Sequence, residues 1–288
     1  MLHLKLSSQP SLFQILHSLV VTAFLALCFA LTMLFAPTSA YGDSQAQTLT
    51  IAYAEKWPPF SYRDPSGNPK GILVEIANFV LKEQLGYQVK HVLQPWKRAQ
   101  MMVKNGTYDA LLAVPSPDRQ AYTTPNRSEV YSMQVRAFIA KSSPRLSDLM
   151  DQENPLQHPE GRFSLLMGDK TCEAIYDQYQ SNFYTNSNIQ QIFKMLTSGR
   201  SDLLLHSKVA ATRTMIELNM QQDIVLHPKV FKNVSLFMLF SQHFEGRDKL
   251  IQQLDAMLEE MKDNNEYTAH IERIEQEEIE YSIKYTGL

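Results

Sequence analysis

The stretch AQMMVKNGTYDALLAV, residues 99–114, decides the fold. Its first half has the spacing of an amphipathic helix, Gly106 ends that helix, and Asp109 opens a short buried strand. The chain repeats the pattern more loosely as IQQIFKMLTSGRSDLLLHS, residues 189–207. A helix that leads through a tight turn into a buried strand is typical of a parallel sheet with helices on its faces. Two copies therefore predict two α/β lobes.

Upstream of the first copy, the chain alternates strand and helix patterns. LTIAYA at 49–54 and YQVKHVLQ at 87–94 have strand patterns, and ILVEIANFVLKEQLG at 72–86 has helical periodicity. Two prolines in WPPFSY and the turn cluster DPSGNPKG separate the first strand from this helix. The first lobe is therefore predicted to have the order β-α-β-α-β.

The second copy follows a strand pattern, RFSLLMG at 162–168, and a helical pattern, TCEAIYDQYQSN at 171–182. In open α/β sheets, ligands bind beyond the carboxyl ends of the strands, so the expected site is the cleft where the two lobes face each other.

Two further β-rich runs, SMQVRAFIAK at 132–141 and VSLFMLFSQ at 234–242, are candidate crossover strands between the lobes, and a helical, charged tail occupies 248–274. The pattern predicts a first lobe made of 48–139 plus 232–288 and a second lobe made of 140–231.

Residues 1–42 are expected to be a signal peptide. Lys5 supplies a positive charge, 19–36 is apolar and uncharged, and small residues around Ala40 and Gly42 allow cleavage. Because the apolar run is long enough to span a bilayer, an uncleaved membrane anchor is the alternative. Cleavage would release the mature protein into a periplasm.

The composition argues against several classes of protein. The chain has 288 residues and a formal net charge of -3, so it lacks the basic excess of nucleic-acid-binding proteins. Cys28 lies in the N-terminal apolar run and Cys172 stands alone, so the folded part has no cysteine pair for a disulfide. There is no HxxxH or HExxH spacing and no Gly-rich phosphate loop. We expect no metal, no cofactor, no nucleic acid and a monomeric protein.

Arg119 is a candidate functional residue because of its position at the end of a predicted strand. It ends the motif SPDR, residues 116–119, just past the predicted strand DALLAV. An arginine at the end of a buried strand is either the partner of a structural ion pair or a donor aimed at an anion, because the guanidinium presents parallel N–H groups to a carboxylate. The residues alone leave both roles open.

Five motifs follow one another in a familiar order and spacing: AEKWPPFSY, GILVEIANFVLKEQLG, PWKRAQMMVKNGTYDALLAV, SPDR and SGRSDLLLHSKVA. In these motifs the chain resembles the bacterial extracellular solute-binding proteins of family 3, periplasmic receptors that hand polar amino acids to ABC importers. The resemblance covers residues 49–274. It implies the type II periplasmic-binding fold, a two-lobed clamshell that closes on a ligand in the cleft between its lobes.

The resemblance also implies ligand-binding residues in the first lobe. Arg119 matches the arginine that grips the ligand carboxylate, and Ser116 matches the hydroxyl residue that assists it. Trp57 matches an aromatic residue that lies over the ligand, and Trp96 matches a position that lines the pocket. Tyr53 is a further candidate. All three aromatic residues have an alternative role in the core.

In the second lobe, GDKT after FSLLM matches the loop that completes the carboxylate grip. It makes Lys170 and Thr171 candidates, and Asp169 a candidate partner for an amino group. Ser207 occupies the position where amino-acid receptors of the family carry an aspartate for the α-ammonium. A solvated turn is the alternative role for the GDKT residues.

The chain departs from the family where the ligand's cationic end would bind. Besides Ser207, Ala54 stands where many relatives have an acid. Glu55, Asp169 or His206 would have to compensate, although a packed strand-end histidine is the simpler interpretation of His206. The ligand is therefore expected to be an amino acid held differently, or an organic acid or modified peptide fragment with an aromatic or apolar part.

We expect a non-enzymatic periplasmic receptor that captures a small carboxylate-bearing, amino-acid-like solute by closing its lobes. It would deliver this solute to the permease of an ABC importer. One alternative is a ligand-sensing input protein for a membrane signalling receptor. Another is a cyclohexadienyl-dehydratase-like enzyme on the same fold, which would need a cleft acid to protonate a leaving hydroxyl. Glu55, Asp169 and Glu173 are the candidates for that acid.

Overall fold

The computed structural model describes residues 48–286, and the expected signal peptide lies outside the described residues. In chain order the strands are β1 (Thr48–Ala54), β2 (Lys56–Trp57), β3 (Ser61–Arg63), β4 (Pro69–Lys70), β5 (Gln88–Gln94), β6 (Ala110–Ala113), β7 (Thr123–Pro125), β8 (Tyr131–Ala140), β9 (Phe163–Leu166), β10 (Phe183–Asn186), β11 (Leu203–Ser207) and β12 (Ile224–Ser241).

The helices are α1 (Ile72–Ala77), which continues as a π-helical segment (Asn78–Gln84), α2 (Trp96–Lys104), α3 (Pro117–Gln120), α4 (Leu146–Asp151), α5 (Lys170–Gln178), α6 (Ile189–Thr197), α7 (Lys208–Glu217), α8 (Arg247–Asp263) and α9 (Glu266–Thr286). Within residues 48–286, none of these helices combines the length and the apolar composition that a membrane crossing requires.

The main sheet has the strand order β10-β9-β11-β8-β12-β6-β1-β5, with β7 paired to β12. In the first lobe β1 is parallel to β5 and β6, and in the second lobe β9 is parallel to β10 and β11. Helices flank both halves. The predicted two-lobed α/β fold is confirmed.

Two long strands join the lobes. The part of β12 from Ile224 to Leu236 pairs antiparallel with β8, and the part from Phe237 to Phe240 pairs with β6 of the first lobe. Strand β8 also pairs with β11 of the second lobe. The two segments expected to be crossover strands are thus β8 and the second half of β12. Strand β12 thus pairs with strands of both lobes, and β8 lies between β12 and β11. The predicted lobe boundaries stay a prediction.

The strand-opening aspartates of the repeat make the same backbone contact in both copies. The Asp109 N–H donates to the Thr50 carbonyl at 2.9 Å, and Asp109 Oδ2 accepts the Thr50 N–H at 2.7 Å. Asp202 exchanges the same two bonds with Arg162, at 2.7 and 3.0 Å. Each aspartate clamps the start of its strand to the neighbouring parallel strand, which is the structural reason for the repeated residue.

Asp202 has more partners than Asp109. Its side chain is 0% exposed and accepts bonds from Arg162 Nε at 3.0 Å, Arg162 Nη2 at 2.8 Å and Ser143 Oγ at 2.8 Å. Burial by itself raises the pKa of Asp202, but these donors together hold it below its usual value. Burial raises the pKa of Asp109, and its single backbone bond from Thr50 offsets this only in part.

The C-terminal region is helical, as expected for 248–274, but it consists of two helices. It breaks after α8, where Asn265 adopts a positive φ of 63°, because asparagine tolerates the left-handed conformation that ends a helix. The next helix, α9, continues to Thr286. The tail therefore forms two helices and reaches further than the sequence pattern indicated.

Helix α9 contacts both lobes through Glu278. The Glu278 side chain is 3% exposed and pairs with Arg213 of α7 at 2.9 Å and with Lys70 of β4 at 3.7 Å. It also accepts the Tyr62 hydroxyl of β3. The Arg213 guanidinium lies 4.7 Å from the centre of the Tyr62 ring. Residues of the first lobe, the second lobe and α9 thus meet at one buried carboxylate.

Candidate functional site

A cavity of about 350 Å³ opens in the first lobe, at the carboxyl ends of β1 and β6. This is the edge of a parallel sheet where ligands bind in α/β folds. The cavity is lined by Tyr53, Ala54, Lys56, Trp57, Ser61, Leu73, Trp96, Leu112, Ala113, Val114 and Arg119. Four of the predicted site residues, Tyr53, Trp57, Trp96 and Arg119, are thus brought together.

Trp57 reaches the cavity from a small sheet that the sequence pattern did not predict. Strand β2 ends at Trp57, which pairs with Ser61 of β3. The Trp57 ring lies 4.7 Å from the Phe60 ring, and Ser61 Oγ donates to the Ala54 carbonyl at 2.7 Å. A Cβ at Gly71, which has φ 121°, would lie 2.6 Å from the Phe60 carbonyl oxygen, so only glycine allows this close approach.

Arg119 lies on α3 with its guanidinium 5.2 Å from the centre of the Trp96 ring, a cation–π distance. Its Nε donates to Gln100 Oε1 at 3.2 Å, and its Nη1 donates to the Val114 carbonyl at 2.6 Å. Gln100 stands on α2, the same helix that begins at Trp96. The side chain is therefore held in place by residues of the motif that precedes it in the chain.

These bonds leave part of the guanidinium available. Nη1 keeps a second hydrogen, and Nη2 has no hydrogen-bond partner among the described residues. Within residues 48–286, no carboxylate lies at ion-pair distance from Arg119. The structural ion pair considered from the sequence is not formed there. The two terminal nitrogens match the geometry that binds a carboxylate through two parallel bonds.

Ser116 shapes the loop that carries Arg119 and does not line the cavity itself. Its Oγ accepts the Arg119 backbone N–H at 3.4 Å as the N-cap of α3, with Pro117 in the first helical position. Thr123 Oγ1 donates to the Arg119 carbonyl at 2.8 Å from the other side. Ser116 thus supports the position of Arg119.

Tyr53 is 1% exposed, so its ring belongs both to the core and to the cavity wall. Its hydroxyl lies 3.0 Å from His91 Nδ1, and His91 Nε2 lies 2.8 Å from Asn78 Oδ1. Burial, with a smaller effect of Lys82, lowers the pKa of His91 to about 4. The neutral imidazole of His91 is the hydrogen-bond partner of the Tyr53 hydroxyl. The aromatic ring is therefore the part of Tyr53 that we expect to contact a solute in the cavity.

The second-lobe candidates do not line this cavity. Asp169 is the N-cap of α5, where its Oδ1 accepts the Cys172 N–H at 3.0 Å, and its Oδ2 lies 3.7 Å from His206 Nδ1. Burial raises the pKa of Asp169, but the contacts with His206 and Cys172 outweigh it, so the pKa lies below its usual value. Asp169 is thus an ionised carboxylate that already has partners at the ends of β9 and β11.

The other second-lobe candidates have local roles in the described structure. Lys170 is exposed and pairs with Glu173 one turn along α5. Thr171 is half-buried in the first turn of α5. Ser207 is buried and caps α7, where its Oγ accepts the Ala210 N–H at 3.5 Å.

Several residues of the cavity escaped the sequence interpretation. Lys56 stands beside Trp57 in the same motif, so its position was a usable signal. Leu73, Leu112 and Ala113 looked like ordinary core positions, and nothing in the sequence distinguished them. Gln100 was hidden in an amphipathic helix, although it holds Arg119.

No cluster of three or more His, Cys, Asp or Glu side chains suited to a metal ion occurs in the described part of the chain.

Comparisons with known proteins give a family and a set of similar folds. The model of the bacterial extracellular solute-binding proteins, family 3, matches residues 49–275. An ancestral cationic amino acid solute-binding protein has a TM-score of 0.62 at 19% identity, over 80% of this chain and 96% of that one. The amino acid ABC transporter substrate-binding protein AbpA from Streptococcus pneumoniae, bound to L-arginine, has a TM-score of 0.54 at 16% identity, over 82% and 97%. No curated protein matches.

At these identities the solved structures establish the fold, which is that of type II periplasmic binding proteins, as predicted. The family match covers most of the chain and nearly all of the described residues. This chain belongs to the bacterial extracellular solute-binding proteins of family 3 and has a solute-binding fold.

Proposed function

We propose that the protein captures a small carboxylate-bearing solute in the first-lobe cavity, with Arg119 binding the carboxylate and the lobes closing over it. The observation that carries this proposal is the placement of the Arg119 guanidinium. It borders a cavity of about 350 Å³, is fixed by Trp96 and Gln100, and keeps two terminal nitrogens for an anion. Lobe closure would bend β12, which pairs with β6 of the first lobe, and its neighbour β8, which pairs with β11 of the second lobe.

The proposed location is the periplasm, after removal of residues 1–42, and the proposed partner is an ABC permease. AbpA is the substrate-binding protein of an amino acid ABC transporter, which supports transport as the first choice. A membrane sensor that reads the closed state is the alternative partner. The monomer expected from the sequence remains part of this proposal.

We propose binding without catalysis, because the acids considered for a dehydratase lie outside the lining of the cavity. A dehydratase would need an acid at the ligand, and the candidates Glu55, Asp169 and Glu173 are not among the residues that line the cavity. Asp169 and Glu173 also have partners already, His206 and Lys170. None of these three acids therefore lines the cavity in which we propose that the solute binds.

The cavity does not favour the ligands of the relatives that bind cationic amino acids. Its charged lining residues are Lys56 and Arg119. A guanidinium or ammonium group on the solute would meet two positive charges there, which opposes its binding.

Calorimetry with the purified protein and its Arg119→Ala variant tests the proposal, after a thermal-shift screen of amino acids and organic acids has identified a binding carboxylate. Two charge-assisted bonds are worth about 3 to 6 kcal/mol, so the variant should bind roughly 100- to 10,000-fold more weakly.

Arg98→Ala is the matched control, because Arg98 is an exposed arginine of α2 that does not line the cavity. It should bind as the wild type does, and both variants should keep the wild-type circular dichroism spectrum. Unchanged affinity in Arg119→Ala would refute the assignment of the carboxylate site.

A further inference from the structure

We propose, building on the function proposed above, that the solute is a carboxylate with an aromatic or other flat apolar body and no ammonium group. The inference concerns the class of ligand and comes from the distribution of charge and apolar surface around the cavity.

The walls of the cavity suit a flat apolar group. Trp57 and Trp96, the tryptophans of the described chain, both contribute to the lining, and Leu73, Leu112 and Val114 lie among the other lining residues. Val114 is 38% exposed, so an apolar side chain faces open space here. Aromatic faces and aliphatic groups gain by covering one another, because contact removes apolar surface from water.

Among the polar side chains that line the cavity, those that could still bind a solute are mainly positively charged. The Tyr53 hydroxyl is paired with His91, and Ser61 Oγ donates to the Ala54 carbonyl. Lys56 is exposed, lines the cavity, and has no ion-pair partner in the described chain. With Arg119 it makes two cations, and no Asp or Glu is part of the lining.

The two acids of the second lobe that were candidates for an amino group or a proton donor, Asp169 and Glu173, have contacts of their own. Asp169 Oδ1 is bound by the Cys172 N–H, and its Oδ2 faces His206 Nδ1 at 3.7 Å. Glu173 is paired with Lys170. An ammonium group would have to compete with Lys170 for Glu173 or share the Asp169 carboxylate with His206, whereas a carboxylate can bind the N–H groups that Arg119 has left without a partner. Solutes that keep the carboxylate and lack the ammonium group are therefore preferred.

Matched pairs of ligands isolate the ammonium group. The affinity of the purified protein is measured by calorimetry for 3-phenylpropanoate against L-phenylalanine, and for indole-3-propanoate against L-tryptophan, with L-arginine and L-glutamine as polar amino acids. Within each pair the carbon skeleton and the carboxylate are the same. We expect at least one acid to bind about tenfold or more tightly than its amino-acid counterpart.

Lys56→Gln supplies a second measurement, with Lys97→Gln as its control, because Lys97 is exposed on α2 and does not line the cavity. We expect Lys56→Gln to weaken binding of the acid about fivefold and Lys97→Gln to leave it unchanged.

The outcomes separate this inference from the function on which it rests. If an amino acid binds as tightly as its deaminated partner, or if only L-arginine or L-glutamine binds, the ligand class is wrong and the carboxylate receptor stands. If an acid binds but Arg119→Ala binds it equally well, the site is wrong. If none of these carboxylates binds, both the proposed ligand class and the proposed function are wrong.

Discussion

Replacing Asp202 by asparagine removes one negative charge from a fully buried position and leaves the shape of the side chain almost unchanged. Arg162 and Arg145 then lose the carboxylate that they contact at 2.8 and 3.4 Å. Removing one partner of a buried ion pair costs about 3 to 5 kcal/mol of unfolding free energy. Since the two arginines are 37% and 23% exposed, water compensates in part, and the expected loss is about 3 kcal/mol.

Thermal unfolding followed by circular dichroism checks this value. For a domain of this size, a loss of about 3 kcal/mol lowers the melting temperature by roughly 6 to 12 °C. The carboxylate of Asp202 has a lowered pKa, so its stabilising effect is complete above the unfolded-state pKa of about 3.9. The effect is lost as the pH falls through the lower folded-state pKa. The melting temperatures of the wild type and Asp202→Asn should then become similar.

Asp109→Asn is the matched control, because Asp109 holds the same place in the other copy of the repeat. Its pKa is raised by burial, so its contribution is complete below about pH 3.9 and is lost as the pH rises through the higher folded-state value. At neutral pH the asparagine oxygen still accepts the Thr50 N–H and no buried charge is left, so we expect almost no loss of unfolding free energy. Equal destabilisation of both variants at neutral pH, or a pH-independent effect of Asp202→Asn, would refute the reasoning.

Three other predictions concern single side chains. Glu278→Gln should lower the melting temperature by several degrees, about 2 kcal/mol, whereas Glu277→Gln, its 66% exposed neighbour, should have no measurable effect; equal melting curves would contradict the interlobe contact. Cys172, which is buried and has a strongly raised pKa because of that burial, should react with a thiol reagent only after unfolding, and rapid labelling of the folded protein would contradict its burial. Trp96→Phe should keep the fluorescence response to a bound aromatic acid, carried then by Trp57, and a flat titration with a ligand shown to bind by calorimetry would exclude Trp57 from the site.

Much of the fold could be predicted because its signals are local. Helical and strand periodicity, with glycine at the turns, placed the repeated unit at 99–114 and 189–207, and both copies form the predicted helix and strand. The break at Asn265 was missed, because asparagine stops a helix only where the surrounding packing needs a turn. The small sheet β2-β3-β4 was missed as well, since its strands are two or three residues long and too short to show alternation.

The candidate site was predictable where motif and strand end coincide. Trp57, Trp96 and Arg119 each follow closely on a strand of the first lobe, and they line the same cavity. The partners that fix Arg119 could not be foreseen, because the bond from Arg119 to Gln100 depends on how α2 and α3 approach each other. The roles of Asp169 and Ser207 as ligand-binding residues stay predictions.

The two copies of the repeat also suggest a reason why the proposed anion-binding residue, Arg119, lies in the first lobe. In the second lobe β11 ends at Ser207, which caps α7 directly, so the chain has no loop there on which a long side chain could turn back over the strand. In the first lobe Val114 and Pro115 separate β6 from Ser116, and this loop places Arg119 against Trp96. The backbone contact of Asp109 and Asp202 is therefore common to both lobes, because it joins neighbouring strands of the sheet. The residues proposed to select a solute lie in the segment after β6, where the two copies of the repeat differ.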